Sequence, residues 1–203
     1  MAGFVSRGFS GRRRVDPEVA GRLPPGQYVE TGFPVLTAGP TPQVPQEEWR
    51  LGIGGAVAEP KEWSWEQFGR LPFEAVPCDI HCVTKWSKLG TSFRGVSLDL
   101  LLAASEPRGR YAMVHSYGDY TTNLALDDLT GGKAWVVTEH EGGPLTTEHG
   151  GPARLLVPHL YFWKSAKWIR SVQIMDREEP GFWEENGYHL RGDPWKEQRY
   201  WSD

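Results

Sequence analysis

Cys78-Asp79-Ile80-His81-Cys82-Val83-Thr84-Lys85-Trp86-Ser87 is the stretch on which the reading of this chain turns. It has the polarity of a strand that ends by delivering one thiol to a loop. If the strand persists, neighbours alternate faces, so Cys82 shares a face with Ile80 and Thr84 while His81 and Val83 point away. A thiol beside a histidine and a lysine can be held as thiolate, the form that ligates a soft or high-valent metal. On these residues alone a second reading stands beside it, because a lone cysteine in a strand commonly serves as a small buried hydrophobe. Cys78 reads as structural, since Cys-x₃-Cys with scattered histidines is a poor match to zinc spacing.

Outward from this stretch the chain shows short, punctuated elements. Phe73 to Val83 reads as extended, interrupted at Pro77. Upstream, Arg50 to Val57 reads as a strand, and Ser64-Trp65-Glu66-Gln67 has capping-box spacing that opens a short helix ending near Leu71. Downstream, Ser97 caps an apolar helix through Leu98, Leu100, Leu101 and Leu102, stopped by Pro107. Tyr111 to Ser116, Ala134 to Glu139, Arg154 to Val157 and Trp168 to Met175 read as strands, with a helical turn at Leu126 to Leu129. The expected fold is α+β: a mixed-sheet, loop-rich domain with short helices. Residues 1–45, rich in Gly, Pro and Arg, read as a basic segment followed by an extended arm across Gly32 to Pro40. The arm either lines a pocket or packs on the surface. Residues 46–203 form the domain proper.

The 203 residues suffice for one domain with a real core. A net charge of −4 gives no electrostatic reason to expect nucleic acid as a partner. The 24 glycines and 16 prolines fit a folded but loop-rich chain. Two cysteines cannot build a disulfide framework. No stretch approaches the roughly 20 apolar residues of a membrane span. Arg12-Arg13-Arg14 invites a twin-arginine export reading, but Val15-Asp16-Pro17-Glu18 follows instead of an apolar run, so a cytoplasmic location is expected.

Four blocks then carry a family resemblance: the Cys82 stretch; Tyr120-Thr121-Thr122-Asn123-Leu124 with Asp127-Asp128; Glu148-His149-Gly150-Gly151-Pro152 through Arg154 to Trp168; and Pro180-Gly181-Phe182-Trp183 with Gly187-Tyr188-His189 and Gly192-Asp193-Pro194-Trp195. In order and spacing they resemble the sulfite-oxidase-type molybdopterin oxidoreductases, especially the short bacterial members. The resemblance implies that Cys82 ligates molybdenum in a molybdopterin cofactor. It implies that Arg154 grips the cofactor's phosphate with its planar fork, and that Ser165, Ala166 and Lys167 wrap it with main-chain N–H groups and a point charge. Ser116 and His149 stand where the methionine-sulfoxide-reductase branch has a threonine and an asparagine, so both remain expected cofactor contacts while the substrate is left open among sulfite, methionine sulfoxide, other sulfoxides and N-oxides.

For catalysis, Lys85 and Tyr120 are candidates beside Cys82, with His115 and His140 as further proton carriers, and Trp86 and Trp163 as wall residues. The implied activity is oxygen-atom transfer to or from a small S- or N-oxide, with electrons exchanged with a separate partner. The alternatives are an inactive molybdopterin-binding scaffold, or a zinc or thiol enzyme built on Cys78, Cys82 and nearby histidines.

Overall fold

Alternating burial along Arg50–Gly55 and Ile169–Met175 marks strands with one face turned inward. The computed structural model describes residues 17–203; Arg12, Arg13 and Arg14, and with them the export reading, lie outside the described residues. The strands are β1 (Tyr28–Val29), β2 (Arg50–Gly55), β3 (Lys61–Ser64), β4 (Glu74–His81), β5 (Trp86–Ser97) and β6 (Tyr111–Ser116). They continue with β7 (Thr121–Ala125), β8 (Trp135–His140), β9 (Gly143–Pro144), β10 (Arg154–Leu156) and β11 (Ile169–Met175). The helices are single turns or little more: α1 (Pro17–Ala20), α2 (Trp65–Phe68), α3 (Leu98–Ala103), α4 (Leu126–Leu129) and α5 (Phe182–Glu185). The fold class is the expected α+β.

Two sheets result. In the first, β5 takes β4 along one edge and β1 and β8 on the other, and β8 in turn carries β9 and β10. In the second the order is β3-β2-β11-β6-β7, with β11 parallel to β2 and antiparallel to β6. The main core joins side chains of both, including Leu51, Ile53, Val114, Val172 and Ile174 of one sheet and Val96, Val136 and Leu155 of the other. Adjacent residues take opposite faces, so Val137 and Leu156 join a second cluster with Ile80, Cys82, Trp86 and Phe93. Cys82 and Trp86 of that second cluster line the cavity described below.

Local chemistry explains the boundaries. Ser64 and Gln67 form the reciprocal capping box at α2, and Ser97 caps α3. Pro77 is tolerated because β4 is an edge strand, paired with β5 alone, and its pairing slips between Cys78 and Ile80. At Gly95 a Cβ would stand 2.2 Å from the Val136 carbonyl oxygen, so the closest approach of β5 and β8 requires glycine.

Two features differ from the expectation. β5 and β7 are full strands, although Lys88, Gly90, Arg94 and Gly95 break any apolar alternation in the first. The strand ends at His81, so Cys82 opens a turn and does not continue an alternation. Of the C-terminal aromatics, Trp195 is 50% and Trp201 80% exposed, so these two do not fasten the tail.

A buried ion pair fastens the tail instead. Lys164 Nζ lies 2.6 Å from Glu184 Oε1, with both side chains fully buried. The same ammonium donates to Asn123 O and Oδ1 (both 2.8 Å) and to Leu190 O (2.5 Å). Trp163 Nε1 and the Thr122 hydroxyl also donate to Glu184. Burial pulls the Lys164 ammonium below the usual lysine value despite its partner. Removing one member leaves an uncompensated buried charge, so Glu184→Ala is expected to cost about 3–5 kcal/mol in urea unfolding. Lys164→Met combined with Glu184→Leu is expected to recover most of that loss; additive losses in the double variant would contradict this account.

Candidate active site

After β4 the backbone turns sharply. The Cys82 N–H donates to Trp86 O (2.8 Å), the Lys85 N–H donates to Cys82 O (3.0 Å), and Lys85 takes a left-handed φ of 78°. The turn lifts the Cys82 thiol against the Thr84 hydroxyl, Sγ to Oγ1 3.1 Å, in a buried position. Burial pushes this thiol up, while the Thr84 contact and the Arg199 charge pull it down. Cys78, half-buried and near Asp79, is pushed up to about 12. His81 is turned away: its Nδ1 lies 2.8 Å from Ser87 Oγ, whose hydrogen goes to Gln27 Oε1 (3.2 Å), so Nδ1 is the donor. Among the described residues no three His, Cys, Asp or Glu side chains gather to hold a metal. A metal at Cys82 would therefore find fewer than three such protein ligands among the described residues.

Facing this turn across one cavity is a cationic wall. The Arg154 guanidinium is buried, with 1% residue exposure, and donates only to carbonyls: Leu155 O (3.3 Å), His149 O (2.9 Å) and Ser165 O (2.6 Å). It also lies 4.2 Å from the centre of the Phe162 ring. Among the described residues no carboxylate pairs with it, and burial lowers its pKa to about 9. Lys167 is lowered to about 8, first by burial and then by Arg154. Its Nζ donates to Glu148 O (2.6 Å). A Cβ at Gly150 would meet Lys167 Cβ at 2.9 Å, so this wall closes only on glycine.

His149 completes the wall. Its Nε2 donates to Phe33 O (2.9 Å), so Nδ1 accepts from the Thr146 hydroxyl (3.0 Å) in the neutral ring. Burial, with Arg154 and Lys167 nearby, lowers its pKa. Its ring stacks on Phe33 at 4.0 Å between centroids. That contact brings the N-terminal arm over the cavity, and Phe33, Pro34 and Leu36 to Pro40 line it.

The cavity has a volume of about 390 Å³ and is lined mostly by apolar atoms. It brings together seven of the residues singled out from sequence: Cys82, Tyr120, His149, Arg154, Ser165, Ala166 and Lys167, with Trp86 and Trp163. Two others lie outside the lining. Lys85 is exposed on the far side of its turn, and Ser116 is buried with its hydroxyl donating to Lys167 O (2.6 Å), so it supports the wall from behind. His115 and His140 do not line the cavity either. Tyr120 does, but its hydroxyl is committed to Trp163 O (2.6 Å) and pushed well above the ordinary tyrosine value by burial.

Sequence reasoning gave Phe33 only as part of the arm and passed over Phe162 and Asp119 in the lining, and Gln27 and Arg199 behind the turn. Only Phe33, flanked by Gly32 and Pro34 in the extended arm, carried a local signal.

Residues 38–183 match the family described as "Oxidoreductase molybdopterin binding domain". The oxidoreductase YuiH of Bacillus subtilis is 44% identical over 187 residues, covering 91% of this chain and 94% of its own length. The protein-methionine-sulfoxide reductase catalytic subunit MsrP of Ralstonia nicotianae is 25% identical over 177 residues; the match covers 76% of this chain but only 53% of MsrP. The crystal structure of the sulfane dehydrogenase SoxCD from Paracoccus pantotrophus shares the fold with a TM-score of 0.61, covering 68% of this chain and 40% of that one at 21% identity. The chain thus belongs to the sulfite-oxidase-like family of molybdopterin-binding oxidoreductases, a family of enzymes.

Proposed function

We propose that this chain uses a molybdenum-pterin cofactor, held at Cys82, to move an oxygen atom to or from a small S- or N-oxide, and that it exchanges electrons with a separate partner. The observation that carries this reading is Arg154. A buried guanidinium with only carbonyl acceptors is costly, because carbonyl dipoles do not neutralise a full charge. Lys167, depressed by the same burial, adds a second cation to the same wall. An anion in the cavity would relieve both, and the phosphate of a pyranopterin is such an anion. The donor set therefore fits the group: two cations for the phosphate, one thiol for a metal, and an apolar wall around them.

When bound, the metal supplies the two-electron oxygen exchange. The chain's own residues do the rest. Cys82 presents sulfur from a rigid turn. Arg154 and Lys167 orient the anion. Phe33, Trp86, Phe162 and Trp163 exclude water and lower the local dielectric. The Tyr120 hydroxyl stays protonated and occupied, so its part is to hold Trp163 in the wall. The name of MsrP favours a sulfoxide among the candidate substrates. A reducing cytoplasm suits the free thiols of Cys78 and Cys82. The zinc alternative has no ligand set among the described residues.

Equimolar molybdenum and pterin are expected on the purified chain when it is expressed in a molybdate-supplied host that makes the cofactor. Neither element nor pterin, in a host proven competent, would refute the reading. Cys82→Ser should retain pterin while turnover falls by more than the ~10–100-fold typical of residues behind a metal ligand. Arg154→Ala should lose most of the pterin itself; unchanged occupancy would remove Arg154 from phosphate binding.

Stability of the cofactor-free chain supplies an independent check. Lys167 titrates at about 8 in the fold, below the ordinary lysine value, so its charge penalises folding fully below pH 8. The penalty lifts progressively as pH rises towards the unfolded value near ~10.4. Lys167→Met is therefore expected to melt higher than the parent at pH 7, with the gap closing by pH 10. Parallel melting curves at every pH would sink the assignment of a strained cation here.

A further inference from the structure

We infer that Arg199 is a positioning residue for the Cys82 turn, and that its fixed charge raises the reduction potential of a metal held at Cys82. The second half rests on the function proposed above; the first does not.

The turn is held from behind by both ends of the chain. From the N-terminal side, Gln27 Nε2 donates to Cys82 O (3.0 Å), and the Tyr28 and Glu30 N–H groups donate to Lys85 O (2.9 Å) and Ser87 O (2.8 Å). Gln27 is itself oriented, because its amide oxygen accepts from the Ser87 hydroxyl. From the C-terminal side, Arg199 Nη1 donates to Val83 O (2.7 Å), the carbonyl immediately after Cys82. No other contact ties the tail to this turn so closely, and without it the carbonyl of residue 83 has no hydrogen-bond partner among the described residues.

Arg199 is built as a buried cation. It is 9% exposed, its guanidinium lies 5.0 Å from the centre of the fully buried Tyr161 ring, and its nearest ion-pair partner, Glu197, is 3.9 Å away and half exposed. The Asp203 carboxylate is engaged with the backbone N–H groups of Arg199 and Tyr200, not with the guanidinium. A strap alone would need only a donor. A buried charge that donates to the residue next to Cys82 acts at longer range than it would in water. A fixed positive charge disfavours the more highly charged, oxidised metal, so removing it shifts the potential downwards.

The test uses the full chain as purified, with Arg199→Met, Arg199→Lys and, as a milder variant, Gln27→Ala. Hydrogen exchange over residues 79–90 is expected to speed roughly tenfold in Arg199→Met and to rise in Gln27→Ala, as for loss of one hydrogen bond to a charged donor, with β11 unchanged. Unchanged exchange over 79–90 in both variants would overturn the positioning role. The metal potential is expected to fall in Arg199→Met and to return towards the parent value in Arg199→Lys. A potential unchanged in Arg199→Met, or equally low in Arg199→Lys, would overturn the charge role. A parent chain without molybdenum would refute the proposed function and the charge role together, while hydrogen exchange would still decide the latch.

Discussion

A guanidinium that has given up water for three carbonyl oxygens organises this molecule. Arg154 gathers the main chain of His149, Leu155 and Ser165, one point in β10 itself and one in each of the loops before and after it. Each bond is charge-assisted, and together they set the spacing of the wall that those loops present to the cavity. Carbonyl dipoles solvate the ion without cancelling its charge, so the strut that shapes the wall also leaves it electropositive. One interaction thus both builds the wall and leaves positive charge in it, in a chain whose overall charge is negative.

The opposite wall follows a different logic. The Lys164–Glu184 pair is neutral as a unit and buries itself completely, tying the loop after β10 to the tail segment at α5. It supplies shape without field. Trp163 and, through it, Tyr120 are held by the same pair, so aromatic surface faces the cavity with its polar atoms already satisfied. The result is a pocket with a cationic side and an apolar side, well suited to an anionic cofactor and a less polar substrate.

Both chain ends converge behind Cys82. A turn that carries a left-handed lysine and several outward carbonyls needs external donors, and Gln27, Tyr28 and Arg199 provide them from segments more than a hundred residues apart. The arm continues over the cavity as far as Pro40, with Phe33 stacked on His149. The arm is thereby part of the site wall, which settles the choice between lining a pocket and lying on the surface.

Much was legible in the residues alone. The capping box at Ser64, the cap at Ser97, the strand patterns of β2, β6 and β11, and the thiol in its His-Lys setting are local patterns, governed by contacts within a few residues. They determined the α+β class and singled out Cys82, whereas Arg154 and the Ser165–Lys167 run stood out only through the family resemblance. What escaped depended on partners distant in sequence. β5 is a strand because β4, β8 and β1 pair with it, not because Lys88, Gly90 and Arg94 favour one. Lys85 lies outside the cavity lining because the strand ends at His81, two residues before the expected Val83, and Tyr120 is occupied because Trp163 O reaches it. The sequence by itself determined which chemical groups were available; tertiary structure decided which were buried, unpaired and facing one another. Burial and pairing are properties of the assembled neighbourhood, and no residue carries its neighbourhood in its own letter.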